Sequence, residues 1–178
     1  MYQNVLAFWF EELSPAQWWH KDAKLDAAIA ERFGSLHERA CQGELWQWRS
    51  GALGRLAEII VLDQFSRNIH RGKPASFAAD GMALALAQEA IRQGAEHGLS
   101  REQRLFLYMP FMHSESLGIH DQALVLFERL GLADNLDYER RHRRIIERFG
   151  RYPHRNAILG RPSTAEELVF LKQPGSGF

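Results

Sequence analysis

A chain of 178 residues, 46% hydrophobic and 25% charged, is long enough to bury a real core as one domain. Its formal net charge is zero, which argues against a nucleic-acid binder working through bulk positive charge. The single cysteine, Cys41, excludes an internal disulfide and fits a reducing compartment, so a cytoplasmic protein is expected. The start MYQNVLAFWFEEL has no basic stretch of the signal-peptide kind. No apolar run approaches the ~20 residues needed to span a bilayer, so no membrane segment is expected.

Residues 4–12 read as a short helix with Asn4 as N-cap and Val5, Leu6, Phe8 and Trp9 as its apolar face. Ser14-Pro15 is a cap followed by an N1 proline. Asp22 can cap the next helix, in which Leu25, Ile29, Phe33, Leu36 and Ala40 recur on one face until Gly43. All five tryptophans (Trp9, Trp18, Trp19, Trp46, Trp48) fall in the first 48 residues, which predicts an aromatic subcore there. Residues 50–71 form a helix with little polar face through Leu53, Leu56, Ala57 and the run Ile59 to Leu62, so its middle should be buried all round. It then turns polar, pairing Asp63 with Arg67 and Gln64 with Asn68 at i,i+4 spacing before Gly72 and Pro74 stop it.

Residues 76–93 give another helix, broken by Gly94 and Gly98. Ser100 and Gln103 have capping-box spacing, and Pro110 should kink or end the helix that follows. Asp121 to Leu130 and Leu136 to Phe149 are two further helices, closed by Gly131 and Gly150. Ser163 with Glu166, or Thr164 with Glu167, starts a last short helix, and residues 173–178 read as a loose tail. No stretch alternates with period two, so 1–178 reads as a single all-α domain.

Charge is unevenly spread. Residues 137–161 hold eight basic against three acidic side chains in an otherwise slightly acidic chain. Within them, Arg148-Phe149-Gly150-Arg151-Tyr152-Pro153-His154-Arg155-Asn156 and on to Arg161 forms a polar loop between glycines. Arginine forks and backbone amides in such a loop suit a carboxylate or phosphate. Gln64, Arg67, Asn68, Arg148, Arg151, His154, Arg155 and Asn156 are therefore the candidate ligand-binding residues, for an anionic small molecule or an acidic peptide. His113, Glu115 and Asp63 are the weaker candidates for acid/base catalysis in a small hydrolase or transferase. A third reading makes the whole polar cluster a structural network. The chain has no phosphate-binding glycine loop, no His-Glu-x-x-His and no cysteine pair, so neither a cofactor nor a metal is expected. The oligomeric state is left open.

Three motifs carry a resemblance: Leu62-Asp63-Gln64-Phe65-Ser66-Arg67-Asn68, Met109-Pro110-Phe111-Met112-His113-Ser114-Glu115, and the loop Arg148 to Arg161. With Phe8-Trp9-Phe10 and Ser163-Thr164-Ala165-Glu166-Glu167, the chain resembles the bacterial domain-of-unknown-function family 924 (DUF 924) over essentially its whole length. That resemblance implies a tetratricopeptide-like α-α superhelix of about 8 helices. It implies no activity, substrate or catalytic residue.

Overall fold

The structure is a computed structural model that describes residues 1–177; the last residue of the expected tail, Phe178, lies outside the described residues. The described residues form helices and turns without a strand, as the absence of period-two alternation requires. They divide into two compact units. The first comprises Met1–Arg71 and Ala75–Pro110, the second Gly72–Pro74 and the chain from Phe111 onward.

The first unit opens with Tyr2–Ala7, which continues as a π turn, Phe8–Glu12. Asn4 sits inside this helix rather than at its cap, because its N–H already closes a turn on the Met1 carbonyl at 3.1 Å. Ser14 and Gln17 form a capping box ahead of the turn Pro15–Trp18. Asp22 caps Ala23–Cys41 through the Lys24 N–H at 2.8 Å. Ala52–Ile60 runs without a break through a second π turn, Val61–Phe65, into Ser66–Ile69. Asp80–Arg92 follows, then Arg101–Met112, whose first turn is closed by Ser100 and Gln103. Pro110, expected to kink or end this last helix, stands inside it, two residues before its last residue, Met112. Residues Leu107, Tyr108, Met109, Phe111 and Met112 around Pro110 are all buried, and that apolar burial offsets the lost backbone bond.

The helical run 52–69 is the core of the first unit. From Leu56 to Ser66 every residue is buried. Phe65 lies 4.9 Å from Phe33 and 5.7 Å from Trp9, and Trp9 is edge-on to Phe106 at 5.4 Å. The expected tryptophan subcore is thus narrower than the sequence suggested. Trp9 is buried and Trp18 meets Phe106 at 5.0 Å, whereas Trp19 and Trp46 are exposed. Gly54 is required: a Cβ there would stand 2.0 Å from the Trp48 carbonyl oxygen.

The second unit pairs Leu117–Leu130 with Ala133–Phe149. The turn between them uses Gly131 at φ 73°, and Gly150 at φ 67° ends the second helix through its N–H on the Ile146 carbonyl at 2.8 Å. Residues Pro153–Arg155 make a single 3-10 turn, and Ala165–Phe170 is the last helix. The cap of that helix is Thr164 with Glu167, the second of the two pairings the sequence offered. Ile145, Ile146 and Tyr152 form a small core, flanked by Phe149 and Phe170. In the expected tail, the Ser176 hydroxyl donates to the Leu171 carbonyl at 3.1 Å, which folds those residues back on the helix.

Candidate functional site

In the first unit the candidate residues ride on the π turn and the helix after it. Side chains cover carbonyls in that widened turn: the Ser66 hydroxyl donates to Leu62 O at 2.5 Å and Arg67 Nη1 to Asp63 O at 2.7 Å. The expected pairing of Asp63 with Arg67 is present but long, at 3.3 Å. Arg67 instead grips Asp80 with both Nη atoms, at 2.8 and 3.0 Å. The Asp63 carboxylate accepts from its neighbour Gln64 at 2.6 Å.

Gln64 and Asn68 do not pair. Asn68 donates to Asp26 at 2.8 Å, and Arg71 adds a fork to the same carboxylate. Burial pushes the Asp26 carboxyl up, but the bonds from Arg71 and Asn68 outweigh it and leave the group below its ordinary value. Asp26 and Asp80 were invisible to sequence reasoning. Each lies on a different helix from its partner, and only the spacing within one helix can be read from a sequence.

In the second unit Glu115 is fully engaged. It accepts the Tyr152 N–H at 2.7 Å and a fork from Arg161, at 2.7 and 2.9 Å. Burial raises its pKa, yet Arg161, the Tyr152 N–H and the nearby Arg155 together hold it below the ordinary value. A carboxyl held ionised in this way makes a poor general acid. His113 lends its carbonyl to Arg155 Nη2 at 2.9 Å, and the Arg155 guanidinium lies 4.6 Å above the Tyr152 ring. His154 stands on the same 3-10 turn, with its ring 5.5 Å from that of Tyr152. Asn156 donates to Ser163 and Glu167 while its oxygen accepts from Arg161 at 3.0 Å.

Glu167 is the anchor that the sequence marked only as a cap. It takes two bonds from Arg151, at 2.7 and 2.9 Å, one from Asn156, and the Thr164 N–H at 2.7 Å. The Arg151 bonds in first place hold its carboxyl down to about 2. The local excess of arginine is answered from outside the segment. Among the described residues, Arg140, Arg141, Arg143, Arg148, Arg151 and Arg161 of the segment have carboxylate partners, most of them beyond residues 137–161. Among the described residues no group of three or more His, Cys, Asp or Glu is arranged to hold a metal ion, and no helix is long and apolar enough to cross a membrane.

The chain is similar to a protein of unknown function from Agrobacterium tumefaciens whose structure is solved. The two are 40% identical, each is covered to 96%, and the TM-score is 0.91. No curated protein matches it. Residues 5–175, and with them all three polar motifs, match the family described as "Bacterial protein of unknown function (DUF924)", and the chain belongs to that family.

Proposed function

We propose that the protein is a cytoplasmic binding protein that takes an anionic small molecule or an acidic peptide at the Arg148–Arg151 edge of its second unit. One observation carries this reading. Arg148 and Arg151 hold the consecutive glutamates Glu166 and Glu167 through Nε and Nη2, and Nη1 of each makes no hydrogen bond among the described residues. Their side chains stay 46% and 29% exposed. Two fixed guanidiniums with spare donors at the end of one helix and the start of its loop are suited to a carboxylate or phosphate. The residues Asn156, His154 and Arg155 would then hold the loop and frame that edge, while Gln64, Arg67 and Asn68 belong to a separate network in the first unit.

Binding is preferred to catalysis because Glu115, the best-placed acid/base candidate of this unit, is tied to Arg161 and Tyr152. The specific observation for a purely structural cluster is the set of six carboxylate-paired arginines. Titrations with inorganic phosphate, citrate and a poly-glutamate peptide, followed by backbone amide shifts, separate the two. Saturable shifts at residues 148–151 that weaken at least tenfold in Arg148→Gln and fade with added salt are expected. Their absence at millimolar ligand would leave the structural reading standing.

A further inference from the structure

The second unit also buries a pair of ionisable groups that the candidate site does not use. His120 and Glu139 are both 0% exposed, and His120 Nδ1 lies 2.7 Å from Glu139 Oε1. The other imidazole nitrogen, Nε2, faces the Ser114 carbonyl at 2.8 Å and the Tyr152 hydroxyl at 3.1 Å. A carbonyl can only accept, so Nε2 carries a hydrogen. The Tyr152 hydroxyl spends its own hydrogen on the Met112 carbonyl at 2.6 Å. Nδ1 is thereby free to accept. Across from it, Glu139 Oε2 is buried and has no hydrogen-bond partner among the described residues. A carboxylate with one orphaned oxygen is costly to bury, whereas the carbonyl oxygen of a carboxylic acid is less so.

We propose that His120 and Glu139 hold one proton as a neutral pair, with the carboxylic acid of Glu139 donating to His120 Nδ1, and that this proton locks residues 112–115 in place. The relay runs from Glu139 through His120 to the carbonyl of Ser114, and through Tyr152 to that of Met112. These carbonyls flank His113, and the same Tyr152 presents its N–H to Glu115. Other ionisable groups lie near the pair. Arg143, on the Glu139 helix, is occupied by Asp121 and Glu147, and His142 lies against Tyr152 with ring centroids 5.7 Å apart. Burial raises the Glu139 carboxyl more than His120 and Arg143 lower it.

The sign of the linkage follows from counting protons. Above about pH 6.5 the unfolded chain leaves both groups unprotonated, while the folded pair keeps one proton. Folding therefore takes up a proton, and the folding equilibrium constant falls about tenfold per pH unit above that point, until the pair gives the proton up.

Glu139→Gln tests this, because an amide reproduces the donor and the carbonyl of the acid without its titration. The variant should fold with wild-type stability at pH 6 and should lose the alkaline slope. In the wild-type protein, ¹⁵N spectra should show a neutral His120 with Nδ1 unprotonated, and the ¹³C shift of the Glu139 carboxyl should be that of the acid form. An imidazolium signature with both ring nitrogens protonated would overturn the proposal. So would an alkaline slope unchanged in Glu139→Gln, or a variant at least a hundredfold less stable at pH 6. His120→Gln, which can still donate to the Ser114 carbonyl and accept from Glu139, keeps the titrating carboxyl and should therefore retain the alkaline slope. Loss of the slope in that variant would overturn the proposal, and this reading holds should Glu139→Gln fail to fold.

Discussion

The two units hold their polar motifs in opposite ways. In the first, Asp63, Gln64, Arg67 and Asn68 ride on a helix whose apolar neighbours are sealed in an aromatic core of Trp9, Phe33, Phe65 and Phe106. Polar bonds there trim a structure that burial already fixes. In the second, the loop 150–161 adds Tyr152 to a small core with Ile145 and Ile146, and its path is set by Glu115, Glu167, Arg151, Arg161 and Asn156. Turns such as that from the Arg155 N–H to the Tyr152 carbonyl satisfy part of the loop backbone, and side chains supply other partners, as Glu115 does for the Tyr152 N–H. A motif rich in arginine can therefore be a fastening, and only the donors left over can serve a ligand.

Paired glutamates give the strongest test of that contrast. Glu58 and Glu167 are both buried and each is forked by an arginine, Arg49 and Arg151 respectively. The Glu58 carboxylate makes no other hydrogen bond among the described residues, and alanine at that site is a good helix former among apolar neighbours. Glu167 also holds Asn156 and caps its own helix through Thr164. Glu167→Ala should cost about 3 kcal/mol in urea unfolding against about 1 kcal/mol for Glu58→Ala. Equal costs would mean that the two units are built alike.

Buried histidines sharpen the comparison through pH. In the first unit His37 bonds the Ser66 hydroxyl at 2.7 Å, and burial followed by the charge of His70 lowers its pKa. In the second unit His142 donates Nδ1–H to the Tyr138 carbonyl at 2.7 Å. Burial, with His113, His120 and His154 close by, holds it down to about 3 despite that bond. A histidine depressed in the folded state contributes stability that is complete above its unfolded value and is lost as pH falls. Acid should therefore remove up to about 1.4 kcal/mol per pH unit on account of His142 alone, over a window from about 6.5 down to about 3. Urea midpoints from pH 7 to pH 5 should fall steeply in the wild type and less so in His142→Gln. A slope unchanged by that substitution would place the acid sensitivity elsewhere.

Much of the fold was legible in the sequence because caps and periodicity are local. Asp22, the Ser14 cap, the Ser100 box, Gly131 and Gly150 all stand where their side chains or their φ angles are needed. Local spacing failed wherever a partner came from another helix. Gln64 and Asn68 looked like a pair, but Asn68 reached Asp26 on the helix Ala23–Cys41, and Arg67 found Asp80. The π turns were equally hidden, since Val61–Phe65 differs from an α-helix by one inserted residue and carries no composition signal. Of the candidate site, the sequence pointed to Glu115 and the loop arginines and offered a joint network as one of three readings, but it did not mark Glu167 as an anchor, because Glu167 reads as an N-terminal glutamate of a short helix. Buried residues such as His120 and Glu139 escaped notice because each falls on an otherwise ordinary helical pattern.

The smallest expected effect falls in the first unit. Asn68 donates one hydrogen bond to Asp26, which also receives the fork of the exposed Arg71. Removing one neutral donor from a carboxylate that keeps its arginine leaves no unpaired charge, so Asn68→Ala should cost about 1 kcal/mol. The Asp26 carboxyl, held below its ordinary value, contributes stability present above its unfolded pKa and lost as pH falls through the folded one. Asn68→Ala should weaken that contribution, so its cost should shrink below about pH 4, where the unfolded carboxyl takes up its proton. A double-mutant cycle of Asn68→Ala with Asp26→Asn, run at pH 7 and pH 3, measures it. Coupling near zero at both values would mean that burial of the 52–69 helix sets this corner without help from its polar side chains. The first unit would then differ from the second even more sharply than its hydrogen bonds indicate.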